Sequence, residues 1–309
     1  MSHRRLAQTE AVLPRTQPAP LSRHSYRGGF CPTGLAPECP NLPSDRVRLG
    51  TSGGTKVAWS GWGPVDGEEW LEQGRLSRPE VVRNLRDMEV VNRHLGGTRS
   101  VLAHLRPVFA SLRPGDPATV VDVASGGGDL LRAITRAARA RGVRLRAIGL
   151  DLHPEALRYA RSHSRHYPEL TWIRGTSDQL PFPPRSFDLV LCSCFLHHLS
   201  PERATEFLRG AADISRGWVI AADLVRSRTA YLAFRAVAPI PGLHPVTRHD
   251  GAVSIQRAYS PKEVAAFAAA AGLSGWRLQR HPFARMTLTS RVNGKAEVER
   301  GVKEGDCTI

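Results

Sequence analysis

The chain has 309 residues, a formal net charge of +15 and 41% hydrophobic residues. Its length exceeds one typical domain, yet no apolar run reaches the ~18 residues that a membrane span requires, because Arg235 interrupts the longest candidate at 231–243. The basic excess argues for non-specific association rather than a nucleic-acid substrate: arginines are scattered throughout, and no interleaved aromatic and basic stripe accompanies them.

Residues 1–76 are rich in Pro, Arg, Ser and Gly without a sustained period of 2 or 3.6, and are expected to form a poorly ordered extension without function. Their arginine-rich, acid-poor composition is that of a transit peptide, but the amphipathic apolar face is missing. Trp59, Trp62 and Trp70 interrupt this background, and packing onto the domain is the preferred reading over closure on a substrate. Order is expected from Ser77, where Ser77-x-x-Glu80 reads as a capping box with Pro79 in the first turn. Val81, Leu85, Met88, Asn92 and Leu95 follow at helical spacing, and Gly96 and Gly97 end the run. A second helix is expected over 100–112, with Leu102, Leu105, Val108 or Phe109, and Leu112 facing inward.

An apolar strand then runs to Asp122, a turn passes through Gly126, Gly127 and Gly128, and a helix begins at Asp129 with Leu130, Leu131 and Ile134 on one face. The next strand, 145–150, delivers Asp151 at its carboxyl end. Glycines let a ligand approach the backbone, free N–H groups at a helix start favour negative charge, and a carboxylate after the second strand suits both hydroxyls of a ribose. A helix over 201–212 and a fifth strand over 218–222, ending at Asp223, come next. Segment 224–259 reads as a lid carrying Tyr231, Phe234, two prolines around Ile240, His244, Arg248, His249 and Arg257. A capped helix over 260–271, strands over 276–280 and 286–292, and a polar tail over 293–309 complete the chain.

Leu131 occupies the third small position of a dinucleotide fingerprint, which speaks against a pyrophosphate ligand and an NAD-dependent oxidoreductase. Asp122-x-Ala124-x-Gly126-x-Gly128 instead resembles the first motif of class I S-adenosylmethionine-dependent methyltransferases. The resemblance implies an α/β, Rossmann-like, doubly wound seven-stranded sheet, mostly parallel with an antiparallel last strand, within a domain spanning 77–292. Segments 77–112 and 224–259 would form a helical cap. Residues 174–200, RGTSDQLPFPPRSFDLVLCSCFLHHLS, resemble the adenine loop, fourth strand and HHL segment of the ubiquinone- and menaquinone-biosynthesis type. That family places an acidic residue against the adenine amino group, where this chain has Thr176. Asp178, or the Thr176 hydroxyl with the backbone around Ser177, would substitute.

The cofactor site implied is Asp122, Ala124, Ser125, Gly126, Gly128, Asp151, Leu152, Thr176, Ser177, Asp178 and Cys192. Cys192 and Cys194 are read as small packing residues beside the cofactor. Asn92–Gly97 resembles methyltransferases that accompany polyketide-forming enzymes, which leaves Arg93 and His94 either lining the site or at a solvated helix end. The implied activity is in-line methylation, on O or C, of a small aromatic, quinone-like or polyketide-derived acceptor of secondary metabolism. His197 is the first choice as general base, ahead of His94, His198, His244 and His249. An RNA methyltransferase and an inactive Rossmann-like binding module are the alternatives. Five cysteines, at 31, 39, 192, 194 and 307, match neither a zinc site nor a disulfide framework, so no metal is assigned and a cytoplasmic setting is expected.

Overall fold

A computed structural model describes residues 67–112, 117–237 and 242–292. Trp59, Trp62, Ile240 with its two prolines, Cys31, Cys39, Cys307 and the 293–309 tail lie outside the described residues.

Among these residues, helices α1 (Arg78–His94), α2 (Gly97–Leu102) and α3 (Leu105–Ala110) precede β1 (Ala118–Val123). Then come α4 (Asp129–Arg139), β2 (Leu145–Asp151), α5 (Pro154–His163), β3 (Leu170–Arg174) and β4 (Phe187–Ser193). A 3-10 turn at Leu196–His198 leads to α6 (Pro201–Ile214) and β5 (Ser215–Leu224). The remainder is α7 (Arg228–Val237), α8 (Pro245–Arg257), α9 (Pro261–Ala270), β6 (Arg277–His281) and β7 (Arg285–Arg291). The seven strands lie in the order β3-β2-β1-β4-β5-β7-β6. β1 to β5 pair in parallel, and β7 runs antiparallel to both β5 and β6.

Helices cover both faces, so the central strands are buried on both sides and read as apolar runs rather than alternating ones. Along β1, Val121 and Val123 join the core beneath α6 and α9, while Ala118 and Val120 join the core that includes Val101, Leu105 and Leu131. The strand order reverses between β1 and β4, which opens a crevice at the carboxyl ends of those strands.

Three expectations need correction. The helix expected over 100–112 is two short helices, because Pro107 has no N–H to continue the ladder and residues 103–104 form a turn. The buried face of α1 is Val81, Asn84, Leu85 and Asp87, whereas Met88 and Leu95 are exposed. Its polar members are explained by α8: the Asp87 carboxylate accepts from the His244 N–H (2.7 Å) and the Thr247 hydroxyl (3.1 Å), and Asn84 donates to Asp250 (3.3 Å). Residues 67–76, assigned by composition to a loose extension, pack against the domain. The Asp250 carboxylate accepts from the N–H groups of Trp70 (2.8 Å) and Leu71 (3.2 Å), and the Trp70 ring stacks on His249 at 4.2 Å.

Candidate active site at the carboxyl end of the sheet

β1 ends in a backbone that winds tightly: Ala124, Gly126 and Gly128 all have positive φ (58°, 51° and 73°). An alanine held there is strained, and such strain recurs at ligand-binding turns. Beside Gly126, the place a Cβ would occupy is open, so this residue is glycine for its backbone angle and leaves the turn exposed to a ligand. At Gly128 the space a Cβ would take is filled. A Cβ there would lie 2.1 Å from the Trp172 indole of β3, so its bareness serves the packing of that ring.

Asp151, at the end of β2, turns toward this backbone. One carboxylate oxygen accepts from the Gly126 N–H at 2.7 Å and the other from the His153 N–H at 2.8 Å. Burial pushes its pKa up, and those two N–H groups oppose the rise. Asp122 is 1% exposed, and burial together with the nearby Asp129 and Asp151 charges pushes its carboxyl well above the usual range. Its Oδ1 and the Ser125 Oγ are buried without a hydrogen-bond partner. Native proteins rarely leave such atoms unmet. An open bend, two orphaned polar atoms and a cluster of carboxylates fit a ligand that brings cationic and hydroxyl groups, as S-adenosylmethionine does.

The remaining cofactor assignments divide. Leu152 is 59% exposed at the rim, and Thr176 and Asp178 are exposed while Ser177 is half-buried. Asp178 is paired with Arg203. Cys192 is buried among core residues that include Val121 and Val123. Arg93 and His94 are exposed at the end of α1.

His197 and His198 sit in the turn after β4. The His197 ring is buried, its Nδ1 lies 2.7 Å from Asp223 Oδ1 at the end of β5, and its Nε2 lies 3.7 Å from Glu69 Oε1. Burial disfavours the imidazolium, but the Asp223 charge and hydrogen bond, followed by Glu69, outweigh it and raise the pKa to about 10. The shift favours the imidazolium over the free base that the expected general-base role needs. His198 Nδ1 lies 2.5 Å from Glu72 Oε1, and its Nε2 lies 3.9 Å from Glu69 Oε1. Burial of Glu69 works against its charge, yet His197, His198 and the Ser254 hydroxyl outweigh it and lower its pKa. The His198 charge also reaches Asp151, so the histidine cluster adjoins the cradle.

The other lid groups are engaged structurally. His244 caps α8, accepting from the Val246 N–H at 3.4 Å, and His249 stacks on Trp70. Arg248 donates to the Leu243 carbonyl at 2.9 Å, and Arg257 pairs with Glu72 at 2.6 Å. Residues missed by the sequence reading include Glu69, Glu72 and Arg285. Buried Arg285 donates to the Leu95 carbonyl (3.2 Å) and Asn92 Oδ1 (3.3 Å) and contacts Cys194 Sγ (3.0 Å). Asn92 in turn reaches Asp129 at 3.5 Å, so the last strand is tied to the helix that starts at the cradle.

Residues 120–216 match the family described as methyltransferase domain. A 2-phytyl-1,4-naphtoquinone methyltransferase of Thermosynechococcus vestitus is 39% identical over 70 residues, 23% of this chain and 30% of that protein. The chain thus spans about three tenths of that relative's length. Among solved structures, an S-adenosylmethionine-dependent methyltransferase from Aquifex aeolicus superposes with a TM-score of 0.51 at 16% identity, covering 71% of this chain and all of that one. Human N-acetylserotonin methyltransferase, solved with S-adenosylmethionine, gives 0.53 at 15% identity over 74% of this chain and 61% of that one. This chain has the Rossmann-like fold of S-adenosylmethionine-dependent methyltransferases, and within it residues 120–216 match the methyltransferase-domain family. S-adenosylmethionine is the cofactor of that class.

Proposed function

We propose that the protein is an S-adenosylmethionine-dependent methyltransferase that methylates a small aromatic, quinone-like or polyketide-derived acceptor. One observation carries the reading: the Asp151 carboxylate meets the exposed Gly126 bend at the end of β1, beside the unpartnered Asp122 Oδ1 and Ser125 Oγ. The partial identity to a 2-phytyl-1,4-naphtoquinone methyltransferase supports the acceptor class.

When bound, S-adenosylmethionine would supply a methyl group on a sulfonium sulfur for in-line transfer. Asp151 would hold the ribose hydroxyls, Asp122 with Ser125 would hold the amino-acid end, and residues 176–178 would take the adenine. Helices α1 and α8 are tied to each other through Asp87 and Asp250. Orientation of this kind accounts for about 7–11 kcal/mol of barrier lowering in well-aligned reactions.

Titration calorimetry with S-adenosylhomocysteine tests the reading. The full chain is expected to bind it, and Asp151→Asn to weaken binding at least 10-fold, since an amide keeps the shape but loses the charge-assisted acceptors. Absence of both heat and thermal shift with either cofactor form would reduce the protein to an inactive binding module. Methyl transfer from labelled cofactor to a panel of phenols, quinols and polyketide acids then identifies the acceptor.

A further inference from the structure

The histidine cluster has a geometry that methyl transfer does not require. A carboxylate oxygen of Glu69 and one ring nitrogen each of His197 and His198 all lie within 4.8 Å of one another. Glu69 Oε1 is 3.7 Å from one imidazole nitrogen and 3.9 Å from the other. Both separations exceed hydrogen-bond length, about 2.7–3.2 Å for N–H···O. They match two ligands of one ion, each at about 2.0–2.2 Å from its centre. The far nitrogen of each ring is held by its own carboxylate, Asp223 on His197 Nδ1 at 2.7 Å and Glu72 on His198 Nδ1 at 2.5 Å. Carboxylate–histidine pairs of this kind fix the tautomer and aim Nε2 at a metal.

We propose that Glu69, His197 and His198 form a site for one divalent transition-metal ion such as zinc, with Asp223 and Glu72 orienting the two imidazoles. Ser254 donates to Glu69 Oε1 at 2.5 Å and Arg257 pairs with Glu72, so the ligand carboxylate and one supporting carboxylate are themselves anchored. Three protein ligands leave a coordination position open, as in catalytic zinc sites. A water, or a hydroxyl or enol oxygen of an acceptor, would take it, and the ion would ease ionisation of that oxygen. The site stands independently of the methyl-transfer reading.

The full chain, stripped with chelator, is titrated with Zn²⁺ and with Co²⁺, and retained metal is counted by plasma mass spectrometry after desalting. A single equivalent is expected, with the visible Co²⁺ bands of a nitrogen- and oxygen-ligated ion. Glu69→Gln and His198→Ala should each weaken binding at least 100-fold. Glu72→Gln, which removes no ligand but loosens His198 along with the Arg257 pair, should weaken it about 10–100-fold. No retained metal, a thiolate charge-transfer band, or undiminished binding in the three variants would each overturn the proposal. S-adenosylhomocysteine binding measured on the same samples reports on methyl transfer separately: cofactor binding without metal sinks the metal site alone, and metal binding without cofactor sinks only the methyltransferase reading.

Discussion

Asp122→Asn is expected to stabilise the protein while weakening cofactor binding. Asp122 is buried at the end of β1 with an unpartnered Oδ1, and its carboxyl is pushed well above the usual range by burial, then by Asp129 and Asp151. Above about pH 4 the unfolded chain releases this proton freely, whereas the folded chain resists. The site therefore costs stability as pH rises from the unfolded value toward the folded one. An uncompensated buried polar group costs about 1–3 kcal/mol, more when charged. Asparagine removes the charge but leaves a buried amide, so the net gain near pH 7 should be about 1–2 kcal/mol. For a domain of this size that raises the melting temperature by about 2–8 °C. Melts of both proteins from about pH 4 to about pH 9 check this, because the variant's advantage should be larger at the alkaline end than at the acid end. Calorimetry with S-adenosylhomocysteine should show affinity reduced at least 10-fold, as the ammonium of the amino-acid end loses its counter-charge. A variant that melts below the parent at pH 7, or an advantage constant with pH, would refute the account of Asp122 as a destabilising group kept for its ligand.

At the opposite end of the sheet, Asp188→Asn should lower stability by about 1–3 kcal/mol near neutral pH, because the carboxylate accepts from the Thr119 N–H (2.9 Å) and hydroxyl (2.7 Å) and from Arg216 (2.7 Å). Burial raises the Asp188 pKa, but Arg216 and Thr119 hold it below the usual range, so the stabilisation is present above about pH 4 and lost as pH falls through the folded value; denaturant melts of parent and variant should converge there. The two turn glycines should separate function from packing. Gly126→Ala meets open space and pays only for its positive φ, about 1–2 kcal/mol, so it should fold and lose cofactor affinity. Gly128→Ala drives a methyl into Trp172 and should cost about 3 kcal/mol or more. Trp172→Ala in the same chain should recover part of that loss, and a double-mutant cycle showing simple additivity would refute the packing account of Gly128.

What the sequence made legible is what local spacing controls. The strand, bend and helix from Val120 to Ile134, with Asp151 one strand later, arise from neighbours in the chain, and parallel pairing of β1 with β2 brings Asp151 to Gly126. The capping box at Ser260 is equally local, its Glu263 carboxylate accepting from the Ser260 N–H at 2.6 Å. Where chemistry depends on distant partners, a one-dimensional reading loses it. His197 stood out as a histidine at the mouth of the sheet, but its protonation state is decided by Asp223 and Glu69, 26 and 128 positions away along the chain. Glu69 itself lies in a stretch whose composition says loose extension, and it is buried because Asp250 and Ser254 of α8 give residues 69–71 polar partners. Likewise, Gly128 carries the motif's glycine, yet Trp172 supplies its reason. A motif thus locates the cradle, while tertiary contacts decide which of its residues meet a ligand and which merely make room for their neighbours.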